Sequence, residues 1–385
     1  MTLENNEAKY RINIWNLFIL FALMSTIGYF AVLPLRNVTL RHTFVLMGSF
    51  SFFACTVFRI RRISIKCLIA SSIIYFIMFF GVVSSPTVTF ENIYRCMCFF
   101  SLFIIMSTKC SVSYDQKIER ISFWAFFIIA LLMIAASYSS VAYVFEDGRV
   151  SGALALGVTN PNLTGMLLFG VYSVLIKAIK NRSKLMQIIF VLVLIKIVQM
   201  IIETRSRTSL IGVILITAYL FIFYKNKLPS WLVITGCSIP IVFVPLYLFL
   251  FDKGRDVIFL GKEVFTGRQF IYTMHLAYLS DGIKVLFGNL PLEWFANAHN
   301  APLSILCSIG LVGAITVYFS IFTNIIRINN NATSPSATYS VLVLTIMFIQ
   351  SSAEALMFMG NFPCIMLLYY FMISAEERLG VEKLG

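Results

Sequence analysis

The sequence predicts an all-α, polytopic membrane protein of about twelve transmembrane helices with one long extracytoplasmic loop. Three observations predict it. Of 385 residues, 59% are hydrophobic and only 12% are charged, whereas a soluble domain keeps roughly a quarter of its residues charged. The mean hydropathy is +0.88. Apolar runs recur along the whole chain at lengths near the roughly 20 residues that cross the hydrocarbon core as a helix. Together these exclude an ordinary soluble globular fold. The 37 Phe and 17 Tyr suit lipid-facing surfaces and interfacial belts.

In chain order, spans are expected near 12–33, 42–58, 67–84, 93–108, 121–145, 161–176, 186–203, 208–224, 229–251, 300–326, 338–359 and 362–375. The first run begins near Ile12 and is too long for a cleaved signal sequence, so it reads as a retained span. Basic residues in the short loops set the orientation. With the N-terminus cytoplasmic, alternate loops are short and basic: Arg59, Arg61 and Arg62; Lys109, Lys117 and Arg120; Lys177, Lys180, Arg182 and Lys184; Lys225 and Lys227; Arg327. Both termini are then cytoplasmic. The net charge of +13 follows from these loops, since Lys and Arg fall between apolar runs and not in one patch, which argues against nucleic acid. The whole chain, 1–385, reads as one membrane domain. Its longest non-spanning stretch is the outer segment 252–298, which mixes charges with the apolar runs Phe270–Tyr278 and Ile283–Phe287. A partly helical, membrane-hugging loop is expected there.

Five of the eight cysteines lie inside apolar runs, where Cys packs as a small hydrophobe, and Cys96 and Cys98 have no histidine cluster beside them. No metal and no cofactor are expected.

Basic residues on the outer face violate the orientation bias and need a reason. Thr204-Arg205-Ser206-Arg207 ends the seventh span and turns tightly into the eighth. The arginines either snorkel to lipid headgroups or grip an anionic group, since a guanidinium holds its charge and binds phosphate bidentately. Arg268, after Gly267 in the outer loop, is a surface charge if alone. Paired with Arg207, it makes a two-cation site for a lipid diphosphate, whose departure needs its developing charge neutralised. His299-Asn300 opens the tenth span. A lone histidine is more often packed than catalytic, but His299 stands at the water–lipid boundary on the arginines' face, where a neutral imidazole can take a proton from a sugar hydroxyl. Asn300 either orients it or binds sugar. Glu203 is a salt-bridge partner or an alternative base. Glu354, in the outer half of the eleventh span, is a functional acid or a buried counter-ion. Lys196, mid-span, reads as structural. Thr159-Asn160-Pro161-Asn162 makes a turn that starts the sixth helix, with a secondary sugar-binding reading for Asn160 and Asn162.

The stretch from His299-Asn300 through nine residues to Gly310-x-x-Gly313 resembles the signature of the O-antigen ligase and Wzy-type O-antigen polymerase superfamily. Ser206-Arg207 is similar to that family's Ser-Arg element. Gly267-Arg268, Leu286-Phe287-Gly288 and Asn160-Pro161-Asn162 resemble its loop features, and order and faces agree over most of the chain. The resemblance implies a GT-C-like fold in a bacterial inner membrane. It implies a metal-independent glycosyltransferase that moves a glycan from undecaprenyl diphosphate to an acceptor sugar hydroxyl on the periplasmic face. It implies that Arg207 and Arg268, with Arg205 beside them, bind diphosphate and that His299 assists the acceptor. The implied partners are the lipid-linked oligosaccharide, the acceptor glycan, membrane lipid and a chain-length regulator. A ligase uses the lipid A core as acceptor, and a polymerase uses the next lipid-linked repeat unit. The outer loop, about 47 residues, is shorter than in typical ligases, which tilts the reading toward polymerase. Independently of family, Gly310 and Gly313 share one helical face and allow a neighbouring helix to come close. A lipid-linked sugar transporter is the competing reading. It would place polar groups at mid-membrane, where only Lys196 sits deep.

Overall fold

In hydrocarbon a chain must satisfy its backbone polar groups within each segment, and this one does so with helices. The computed structural model describes residues 14–32, 38–58, 65–83, 97, 116–138, 144–146, 149–151, 161–179, 183–223, 227–252, 258–259, 262–263, 268–277, 279, 282–288, 298–332, 334–354 and 362–376. The first helices are α1 (Ile14–Val32), α2 (Val38–Phe58), α3 (Ile65–Val83) and α4 (Gln116–Ser137), followed by strands β1 (Val144–Glu146) and β2 (Arg149–Ser151). Next come α5 (Pro161–Ala178), α6 (Lys184–Glu203), α7 (Arg207–Ala218, continued by a π-helical turn Tyr219–Phe223) and α8 (Ser230–Asp252). The segment 252–298 holds β3 (Ile258–Phe259), β4 (Lys262–Glu263), α9 (Arg268–Ala277) and α10 (Gly282–Phe287) among its described residues. The last three helices are α11 (Ala301–Asn331), α12 (Pro335–Gln350) and α13 (Phe362–Glu376).

Three helices form the centre. Side chains from Leu163 to Ile176 on α5, Ala337 to Phe348 on α12 and Phe362 to Met372 on α13 are buried throughout. A helix apolar all round belongs in an interior, and these sequences leave no polar stripe to face water. α5 packs against α4, α6, α7, α12 and α13, and α12 also against α7 and α8. The surrounding helices keep exposed apolar faces: Ile188, Leu192 and Ile195 on α6, and Phe76, Phe79 and Phe80 on α3. Contiguous exposed apolar surface of this kind is a lipid-facing surface. Among the described residues four helical stretches are long and apolar enough to cross a membrane: Arg120–Ser137, Lys184–Glu203, Ser230–Leu250 and Ala301–Asn331; other apolar helices are shorter. The protein is a helical membrane protein.

Most expected spans coincide with helices, and the differences have local causes. The expected span 121–145 stops as a helix at Ser137, and Val144–Glu146 pairs antiparallel with Arg149–Ser151 instead. The residues between the strands are Asp147-Gly148, a strong short-range hairpin signal. The expected span 338–359 ends as a helix at Gln350. There the Ser351 and Ser352 hydroxyls donate back to the Phe348 and Ile349 carbonyls, and the Ser351 carbonyl accepts from the N–H of Ala301. Glu354 therefore stands beyond the helix end, not within a span. The expected span 93–108 lies outside the described residues, Met97 excepted. The segment 252–298 is partly helical, as expected, with a small antiparallel strand pair besides.

α11 is interrupted at Gly310, where φ is 68° and ψ −175°. A Cβ there would stand 2.2 Å from the Leu286 carbonyl oxygen, and one at Gly288 (φ 76°) would stand 2.3 Å from the Ser308 carbonyl oxygen. Thus α10 crosses the break backbone to backbone, and only glycine permits it. The expected close approach at Gly310 is present, but to a short loop helix. Gly313 instead faces Ile309 of its own helix, which corrects the shared-face reading of the pair.

Candidate functional site

The site forms at one end of the bundle, where α5, α7, α9 and α11 begin and α12 ends. Each start is fixed locally. α7 follows α6 through the turn Thr204-Arg205-Ser206. Thr204 Oγ1 donates to the Ile201 carbonyl at 2.7 Å, and Arg205 takes the left-handed region at φ 51° to terminate α6. Ser206 lies against Gly165 of α5, where a Cβ would come within 2.5 Å of its own Cβ. Glycine at 165 therefore lets the starts of α5 and α7 meet. Gln350 Nε2, at the end of α12, donates to the Thr208 carbonyl at 3.4 Å. Arg207 thus opens α7 at the end of the bundle where α12 stops.

The start of α11 is pinned more firmly. Asn300 is fully buried, and its Oδ1 accepts from the Leu303 N–H at 2.8 Å as the N-cap. Its Nδ2 donates to the carbonyls of Pro240 on α8 at 3.2 Å and Ser352 at 3.1 Å. An asparagine amide has two donors, and both are committed to the fold. The expected sugar-binding role for Asn300 is thereby replaced by a structural clamp. His299, just before it, is held with φ 48°, an uncommon conformation for a side-chain-bearing residue.

Glu354 is the centre of the site. It is only 1% exposed. Its Oε1 accepts from Asn162 Nδ2 at 3.0 Å and stands 3.9 Å from Arg268 Nη2. Its Oε2 stands 3.5 Å from His299 Nδ1. One buried carboxylate therefore gathers residues from α5, α9 and the lead-in to α11. A charge so placed costs several kcal/mol of lost hydration unless ionic and hydrogen-bonding partners offset it, and these are the partners. Arg268 is 18% exposed and His299 31% exposed by side chain, so both still reach solvent.

α9 explains how Arg268 is aimed. The helix lies on α8 and α11, with fully buried Tyr272 and His275 on its inner face. The Tyr272 ring meets Tyr247 edge-on at 5.3 Å. Arg268, one turn earlier on the same face, sets its charge beside the buried Tyr272 hydroxyl, which makes no hydrogen bond as the pair stands. Burial pushes that phenol up to about 12, with the Arg268 charge opposing the rise, so it remains a neutral partner at physiological pH.

Arg207, Arg268, His299 and Asn162 share this end of the bundle; the last three meet at Glu354. Asn162 serves the carboxylate and not open space. Arg205 is exposed at the turn, and Glu203 accepts from Gln199 Nε2 at 2.9 Å on the outer side of α6; neither joins the cluster. Lys196 sits 4.7 Å above the Tyr138 ring and donates to Gln199, a structural setting as expected. Asn160 lies outside the described residues. Sequence reasoning named Glu354 but gave it no place in the site, and it missed Tyr272. A lone acid in an apolar stretch was the available signal for the first; the one-turn spacing Arg268–Tyr272 was the signal for the second. No family model matches the chain, and no curated protein matches its sequence.

Proposed function

We propose that the chain is a glycosyltransferase of a bacterial inner membrane, using a lipid-diphosphate-linked glycan as donor and a sugar hydroxyl on the outer face as acceptor. The observation that carries this reading is the gathering of Arg268 and His299 on one buried carboxylate, at the bundle end where Arg207 begins α7. The proposal includes about twelve spans with both termini cytoplasmic, in the GT-C-like arrangement that the resemblance implies.

In the proposed reaction the acceptor oxygen attacks the anomeric carbon of the donor. The bond from that carbon to the diphosphate oxygen breaks, and undecaprenyl diphosphate leaves with the electron pair. Arg268 and Arg207 neutralise the charge that builds on the leaving group. His299 takes the acceptor proton on Nε2. Repeat-unit polymerisation is preferred to ligation on the lipid A core because the outer loop 252–298 is short.

The test is the glycan profile of cells carrying Arg207→Ala, Arg268→Ala or His299→Ala at normal protein level. Each is expected to abolish chain growth, leaving single repeat units on the lipid A core. Long chains retained on the carrier lipid would instead identify a ligase. Lipid-linked units trapped on the cytoplasmic leaflet would identify a transporter and overturn the enzyme reading.

A further inference from the structure

We infer that Glu354 is a positioning residue for His299: it holds the Nδ1–H tautomer and so aims Nε2 at the incoming hydroxyl. This rests on the transferase reading above. Nδ1 is the ring nitrogen shielded from solvent, and Glu354 Oε2, equally shielded, stands 3.5 Å away; as they stand the two atoms are in ion-pair range but not hydrogen-bonded. The side chain's 31% exposure therefore lies on other ring atoms, which leaves Nε2 as the nitrogen for an acceptor. The other carboxylate oxygen is anchored by Asn162 at 3.0 Å and faces Arg268 at 3.9 Å, so Oε2 points in a fixed direction. The two backbones are stapled as well. Asn300 donates to the Ser352 carbonyl at 3.1 Å, and the Ala301 N–H donates to the Ser351 carbonyl at 2.9 Å. The residues following His299 are thus tied to those preceding Glu354, and the spacing of the pair is set before either side chain moves. Active-site contacts are often long before substrate binds and tighten afterwards. When Nε2 takes the acceptor proton, Glu354 faces the resulting imidazolium and stabilises it, as the buried acid does in a Ser-His-Asp triad.

The chain has three histidines, so nitrogen-15 histidine spectra of the full-length protein in lipid nanodiscs are assignable, with His299→Ala identifying the signal. Over the pH range in which its own nitrogen-15 shifts show the ring neutral, wild-type His299 is expected as the Nδ1–H tautomer. Glu354→Gln is expected to shift it to a mixture with the Nε2–H form and to cut glycan chain growth about 10²–10⁴-fold. Glu354→Asp, which keeps the charge, is expected to retain more of both and serves alone if Glu354→Gln does not accumulate. A His299 tautomer that ignores folded Glu354→Gln and Glu354→Asp overturns the inference, as does a shifted tautomer with normal chain growth. A Glu354-dependent tautomer in a protein whose His299→Ala variant makes normal glycan keeps the pairing and overturns the transferase reading.

Discussion

Asn300 and His299 are neighbours with opposite fates, and hydrogen-bond capacity decides which is which. Asn300 caps α11 and bonds two carbonyls from other elements, all in full burial. Losing an N-cap alone costs about 1 kcal/mol, and two orphaned buried carbonyls add to it. Asn300→Ala is expected to lower the thermal stability of the detergent-solubilised protein by about 2 kcal/mol or more. His299→Ala removes one contact of the buried Glu354 carboxylate but no hydrogen bond, and is expected to cost less stability than Asn300→Ala while losing activity; equal melting of both variants would contradict the division. The two residues read alike in the sequence, as a His-Asn pair at a span start, because a one-dimensional pattern does not say whose side chain turns inward. Glu354 shows the same limit. Its named partners come from three separate stretches of chain, so nothing nearby in sequence signals that it is the hub.

Elements were more legible. Apolar runs marked nearly every described helix because hydrocarbon leaves the backbone no alternative. Helix ends were harder, since they depend on partners. α12 stops at Gln350 where its serines fold back and α11 docks, and α4 gives way to a strand pair whose Asp147-Gly148 signal went unused. The break in α11 sets Gly310 apart from Gly313. At Gly310 the positive φ costs an ordinary residue roughly 1–2 kcal/mol, and a Cβ would collide with the Leu286–Phe287 backbone, which cannot yield. At Gly313 the φ is not positive, and the nearest atoms are the Cγ1, Cδ1 and Cβ of Ile309 at 2.6–2.8 Å, a close contact with a side chain and not with a crossing backbone. Gly310→Ala is therefore expected to abolish activity and accumulation of folded protein, whereas Gly313→Ala is expected to cost less and to leave folded protein. Size-exclusion profiles of the two purified variants check this, and indistinguishable profiles would contradict it.

At the scale of the whole molecule, charge is divided between two ends. The arginine and histidine cluster lies where α5 and α11 begin; Lys177 and Arg327 lie toward their far ends. At that far end Lys177 bonds Ser374 and Ser340, and Lys227 bonds the Asn330 carbonyl. The proposed orientation puts the first end outside. A membrane-impermeant thiol reagent applied to intact spheroplasts is expected to label Arg205→Cys and not Lys227→Cys; the reverse would invert the topology. The proposal depends above all on the site end holding a lipid diphosphate. Binding of undecaprenyl diphosphate to the purified protein in nanodiscs tests that most directly. Arg207→Ala and Arg268→Ala are each expected to weaken it at least about tenfold, near 1.4 kcal/mol, with Lys196→Ala unchanged. Equal affinity across all four proteins would contradict it.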